Sequence, residues 1–340
     1  MIKKRNSNID IVRLFALLMV LLFHGFLNSG FYRTPLNSTP MYIATFFRQL
    51  SLACVPLFLL ITGYLYGGRE VKLDKKHILK LSKILVPYIV ITAFLYFTLH
   101  YYGQLGKTTF WTMLFGFENN GYTWYIEMYL GLYLLIPFIN SGYNRLEKKE
   151  KELLILAMIF LCFVPTLINP HRLLMQDYWT DLYPFAYYII GMYLKEYGLK
   201  IKTSSKFLVL IEYLFVSFVV TIMMFANNVS NASNNFYSFF TFVISVVLFD
   251  LILQMNMDKV GEKLKDFLNI LADAVLPAYM LSKIIELILY EEVIYKITYD
   301  TYQILLWTPI IIVGEFLIAL LLGFIISKIS NWISSKLIKK

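Results

Sequence analysis

The chain has 340 residues, of which 59% are hydrophobic and only 16% charged, whereas a soluble domain of this length carries about 25% charged residues. Apolar runs long enough to cross a ~30 Å hydrocarbon core recur along the whole length, which excludes a soluble globular protein, and they are too uniformly apolar for the alternating strands of a membrane barrel. The net charge of +9 does not point to nucleic acid, because of where the charge sits.

In chain order the apolar pattern predicts ten membrane helices, over 10–30, 42–66, 83–102, 122–140, 153–169, 179–197, 207–226, 236–255, 268–290 and 304–326. The first is preceded by Lys3, Lys4 and Arg5 and reads as an uncleaved span rather than a signal peptide. Between the third and fourth lies an aromatic, Gly-containing connection at 107–120, and between the seventh and eighth a polar loop, NNVSNASNN, at 227–235. Cys54 and Cys162 both fall inside spans, which argues against a structural disulfide. The expected architecture is an all-α polytopic bundle forming a single membrane-embedded domain over 1–340.

Of the 31 Lys and Arg residues, 24 fall in the termini and in the loops on the same side as the termini. Only Arg33, Arg48, Lys107, Arg172 and Lys296 fall on the other side, and Arg13 and Lys283 lie within spans. By the positive-inside bias both termini are cytoplasmic, and the high basicity is mainly a topology signal.

The first span, IDIVRLFALLMVLLFHG (Ile9–Gly25), holds an arginine and a histidine. Eleven helical steps bring Arg13 and His24 back to nearly the same stripe, ~16 Å apart along the axis. Arg13 has a plain reading as a snorkelling side chain near a helix end, and His24 as a neutral imidazole bonded to a neighbouring helix. Ionisable groups inside membranes are costly and usually face a cavity or a partner, which makes the pair a candidate site.

Asp10 and Arg13, followed by ten residues and His24, resemble the signature of the acyltransferase 3 family of integral membrane acyltransferases. VPLFLLITGYLYGGRE (Val55–Glu70) resembles that family's second span, with Thr62 where Ser is commoner. TWYIEMYLGLYLLIPF (Thr123–Phe138) and YPFAYYIIGMYL (Tyr183–Leu194) resemble its Trp-Tyr and Phe-x-x-Gly spans. The likeness covers the whole chain. It is nearest to the short members without an extracytoplasmic domain, such as the enterobacterial common antigen O-acetyltransferase. One departure stands out: AYMLSKII (Ala278–Ile285) has Ser282 and Lys283 where many members have His-Pro.

The resemblance implies transfer of an acyl group, often acetyl, from acyl-CoA to a hydroxyl of a surface glycan or its lipid-linked precursor. It implies a bacterial plasma-membrane location and no permanently bound cofactor or metal. A sugar hydroxyl needs a base, and His24 is the candidate for it, with a covalent acyl-histidine relay as the alternative. Depth estimates make Glu127 the first candidate for an orienting carboxylate and Glu315 the second; Lys283 and Glu286 are read as pairing with each other. Arg13, Arg69 and Lys72, together with Lys75, are candidates for the donor's phosphates, with Thr62 and Gly63 flanking its acyl arm. For the loop cations the plain reading is topology charge. Trp124, Tyr125 and Trp179 are candidates to stack on a sugar or to form the aromatic belt. Two other classes remain open: a transporter or flippase of the polysaccharide or its lipid-linked precursor, and a non-catalytic membrane sensor.

Overall fold

A computed structural model describes residues 5–117, 122–168, 177–227 and 236–339. His171, Arg172 and most of the 227–235 loop lie outside the described residues. Among these residues fifteen α-helices follow one another: α1 (Ser7–Asn28), α2 (Thr39–Ser51), α3 (Cys54–Tyr66), α4 (Lys75–Leu79), α5 (Ser82–Tyr101), α6 (Phe110–Gly116), α7 (Trp124–Tyr143), α8 (Lys148–Cys162), α9 (Pro165–Ile168), α10 (Tyr183–Tyr197), α11 (Thr203–Phe225), α12 (Phe239–Leu253), α13 (Glu262–Leu289), α14 (Tyr295–Ile297) and α15 (Thr301–Lys339). No strand occurs among the described residues.

Among the described residues, six helical segments are long and apolar enough to cross a membrane: Ser7–Asn28, Thr39–Tyr66, Lys75–Tyr101, Thr203–Phe225, Glu262–Ile297 and Thr301–Lys336. α12 is apolar but shorter. The expected span 42–66 is broken between α2 and α3 at Leu52 and Ala53. Pro56 explains the position, since its ring opposes the carbonyl four residues earlier and it lacks an N–H. At the other end of the chain α15 continues well beyond the expected span, to Lys339.

α1 occupies the middle of the bundle and packs against α2, α3, α12, α13 and α15. Its start is capped by Asn6, whose side chain accepts from Asn8 N, which satisfies one orphan donor of the first turn. The Asn8 amide donates to the carbonyls of Ile252, Leu253 and Met255 at 2.8–2.9 Å, which closes the C-terminal end of α12. α3 and α10 approach without intervening side chains. A Cβ on Gly63 would lie 1.9 Å from Tyr188 O, and one on Gly191 2.4 Å from Leu60 O. Small residues permit this kind of approach between membrane helices. α13 and α15 are similarly close at Gly323, where a Cβ would meet Ala274 O at 2.7 Å.

Several buried polar groups are paired locally. Asn140 donates to the Tyr66 and Arg69 carbonyls at 3.0 and 3.1 Å and accepts from Tyr188 OH at 2.6 Å, tying α7 to the end of α3 and to α10. Lys206 and Asp250, both buried, form an ion pair. His77 is buried in α4. Its Nε2 lies 3.2 Å from Tyr133 O, and its ring stacks on Tyr133 at 4.2 Å.

Candidate active site

His24 sits on the last turns of α1 with its side chain 10% exposed. Its Nδ1 lies 3.0 Å from Glu286 Oε1 on α13. A carboxylate only accepts, so the shared hydrogen sits on Nδ1, and in the neutral form of this tautomer Nε2 holds the lone pair. The other oxygen of Glu286 accepts from Asn28 Nδ2 at 3.0 Å and from the hydroxyl of Tyr122. Asn28 is one turn after His24 on the same helix and also donates to His24 O at 3.1 Å. The Tyr122 ring stacks on the His24 imidazole at 3.8 Å. Both faces of the dyad are thereby fixed, the carboxylate by two further donors and the imidazole by an aromatic plane.

This arrangement corrects the expected partners. Glu127 is exposed on α7 and is not the carboxylate at His24; the depth estimate placed it without fixing which way its helix turns it. Glu286 is not paired with Lys283. The Lys283 ammonium instead lies over the Tyr122 ring, 4.8 Å from its centroid. Glu315 is 1% exposed on α15 and interacts with Glu286, so it borders the dyad without touching the imidazole nitrogen. Its Oε1 has no hydrogen-bond partner among the described residues. Ser282, in the departure from the family pattern, is fully buried and donates to Tyr279 O at 2.8 Å.

A cavity of about 880 Å³ opens between α1, α3, α5, α7, α13 and α15, within the ~300–1,000 Å³ range of small-molecule sites. Arg13, Lys83, Asp273 and Asn331 line one part of it, and Val20, Tyr125 and Tyr279 another. The charged part is where the first turns of α1 and the last turns of α15 meet. There Arg5 binds Asp10 at 2.6–3.1 Å and Asp273 at 2.8 Å, and Arg13 reaches Asp10 at 3.1 Å. Partial burial pulls the Arg5 guanidinium down, but its bonds to Asp10 and Asp273 outweigh this and raise it above its ordinary value. It therefore remains a fixed positive charge.

Thr62 lines the cavity and donates to Phe58 O at 2.8 Å. Gly63 does not line it; its face is taken by Tyr188 and Gly191, so its small size serves helix packing rather than an acyl chain. Arg69 and Lys72 are exposed and outside the lining, whereas Lys83 is part of it. Tyr125 is buried in the cavity wall rather than at a surface, and Trp124 stacks on Phe236 at 5.5 Å. Trp179 remains partly exposed.

The cavity does not include His24. Two tyrosines connect them: Tyr279, in the cavity wall, donates to the Tyr122 carbonyl, and Tyr122 stacks on His24. Arg13 and His24 thus share one helix but face different compartments. No cluster of His, Cys, Asp and Glu suited to a metal ion occurs among the described residues.

A family model described as an acyltransferase domain, Acyl_transf_3, matches residues 6–329. No curated protein and no solved structure matches the chain. The match takes in Arg13, His24, Glu286 and the whole cavity wall up to Ser327, and the chain belongs to the acyltransferase 3 family.

Proposed function

We propose that this protein is a membrane O-acyltransferase. It moves an acyl group, acetyl in the simplest case, from acyl-CoA to a hydroxyl of a surface polysaccharide or its lipid-linked precursor. It does so as a ten-span protein of the bacterial plasma membrane with both termini cytoplasmic. The observation that carries this reading is the His24–Glu286 pair, an imidazole whose Nδ1 is held by a carboxylate and whose Nε2 is left for a reacting group.

Nε2 takes the proton of the acceptor hydroxyl as its oxygen attacks the thioester carbonyl. The C–S bond breaks, and the proton passes to the departing thiolate, so that one ester and one thiol are formed. Glu286 stabilises the imidazolium and holds the ring in one tautomer. In the relay version Nε2 itself attacks the thioester, the thiol leaves, and the acceptor then displaces the acyl group from the imidazole. The donor enters from the part of the cavity that holds Arg13 and Lys83, where cations suit its phosphates.

The test uses purified protein in lipid nanodiscs with labelled acetyl-CoA and a panel of surface glycans, wild type beside His24→Ala. Transfer by the wild type alone supports the reading. Equal transfer by the variant removes His24 from the chemistry. If the wild type neither transfers label nor binds CoA, the transporter reading takes its place. Label retained on the protein without acceptor, and absent in His24→Ala, selects the relay.

A further inference from the structure

Beside the dyad lies a second buried carboxyl for which the chemistry above has no use. Glu315, on α15, is 1% exposed and interacts with Glu286. Helix packing brings it there. α15 meets α1 next to His24, where a Cβ on Gly25 would lie 3.0 Å from Ile312 Cδ1 and 3.7 Å from Thr308 Cγ2. Thr308, Ile312 and Glu315 recur at helical spacing and share one face of α15. α15 is also locked to α13, the helix that carries Glu286, at Gly323. The Glu315 carboxyl thus acts electrostatically on Glu286 and on Tyr122 alike.

The supply of hydrogens distinguishes the two carboxyls. Glu286 receives bonds from His24 Nδ1, Asn28 Nδ2 and the Tyr122 hydroxyl, as a carboxylate does. Oε1 of Glu315 has no hydrogen-bond partner among the described residues. The Tyr290 hydroxyl is buried within the field of both carboxyls, yet it makes no bond among the described residues either. Lys283 holds its ammonium over the Tyr122 ring. Two carboxyls that meet in a dry interior are joined by a hydrogen bond only if one of them carries the hydrogen, and two full charges there repel strongly. Glu286 is the one furnished with donors, so the hydrogen belongs to Glu315. A second full charge would moreover hold a proton on the imidazole and use up the Nε2 lone pair on which base catalysis depends.

We infer that Glu315 is a positioning residue of the dyad, a neutral carboxylic acid that donates its hydrogen to Glu286. It adds a donor to the carboxylate and keeps the negative charge beside His24 at one. The imidazolium formed when Nε2 takes the acceptor's proton then faces a single counter-charge, and the neutral imidazole returns when that proton passes to the thiolate. Glu315 keeps its own hydrogen throughout. This rests on the acyltransferase reading above and deepens it, because the two buried carboxyls then differ in protonation and in the substitutions they tolerate.

The test compares Glu315→Gln, Glu315→Leu and Glu286→Gln with wild type in nanodiscs. Glu315→Gln keeps a neutral group with a donor, Glu315→Leu removes the donor, and Glu286→Gln removes the charge. With labelled acetyl-CoA, kcat is expected to stay within about threefold for Glu315→Gln and to fall roughly ten- to a hundredfold for Glu315→Leu at unchanged KM. For Glu286→Gln it falls about 10²- to 10⁴-fold. Thermal midpoints separate a folding defect from a positioning one. A readout free of turnover is the infrared difference between wild type and Glu315→Gln at mildly alkaline pH. The carbonyl stretch of a protonated carboxyl is expected in the wild type and is lost in the variant. Absence of that band, a Glu315→Gln as inactive as Glu286→Gln, or a Glu315→Leu as active as wild type overturns the inference. A wild type that shows the band but transfers no label leaves the neutral acid standing and overturns the acyltransferase reading.

Discussion

Glu286 holds His24 Nδ1 at 3.0 Å across 262 residues of sequence, joining the first helix of the bundle to the last turns of α13. If this carboxylate sets the tautomer, Glu286→Gln keeps the shape and loses the function. The amide offers a donor or an acceptor to Nδ1, and its loss of charge leaves the imidazolium unsupported. We expect kcat to fall about 10²- to 10⁴-fold, the range of a lost acid–base contribution, with the protein still monodisperse in detergent. Glu127→Gln, on the exposed face of α7, leaves kcat within about twofold. Steady-state transfer assays on the two variants side by side check the exchange of partners.

Tyr122 contributes a hydroxyl to Glu286 and a ring to His24, and the two roles separate by substitution. Tyr122→Phe keeps the stack and removes one charge-assisted bond, worth about 1.5–3 kcal/mol; transfer falls roughly ten- to a hundredfold. Tyr122→Ala removes both and lowers it further. Equal rates for wild type and Tyr122→Phe mean that Asn28 alone suffices to hold the carboxylate.

The α3–α10 contact leaves no room for a methyl group. Gly191→Ala sets a Cβ against the Leu60 carbonyl, and relief requires the helices to move apart. A loss of about 3 kcal/mol, the upper end for over-packing, is expected as a lower thermal midpoint. Gly142→Ala, with open space around it, serves as the control and leaves the midpoint unchanged.

Lys206 and Asp250 form a buried pair away from the dyad. Lys206→Met leaves the buried Asp250 charge without a counter-ion, held only by Leu199 N at 3.3 Å and Gln254 Nε2 at 2.8 Å, and costs about 3–5 kcal/mol. The double variant Lys206→Met with Asp250→Leu recovers most of that, because no lone charge remains. Thermal unfolding of the single and double variants measures the recovery, and kcat per folded molecule stays constant across the series.

Helical content, the apolar segments and the Arg13–His24 helix were legible in the sequence because each depends on periodicity within one segment. The family was legible because its residues cluster in short stretches. Glu286 was not. Its burial depends on which face of α13 meets α1, and three residues from a lysine it carried a simpler reading as an intrahelical pair. Glu127 failed for the same reason in reverse, since depth along a span is readable but rotation about the helix axis is set by neighbours. Gly63 was read as flanking the donor's acyl arm, but the group that approaches it is the α10 backbone, and nothing in its own segment signals that neighbour. The break at Leu52 and Ala53 had a local signal in Pro56, which an otherwise unbroken apolar run concealed.

The two close helix contacts also bear on motion. With no side chain between them, α3 and α10 interlock at Gly63 and Gly191, and α13 and α15 at Gly323. Sliding within either pair drives carbonyl into carbon, so each pair travels as one body. α3 forms one side of the cavity and α13 with α15 another, while α1 packs against all three. Any widening that joins the cavity to His24 is therefore a displacement of one locked pair relative to the other. α1, bearing Arg13 near its start and His24 near its end, packs against α3 of one pair and against both helices of the other.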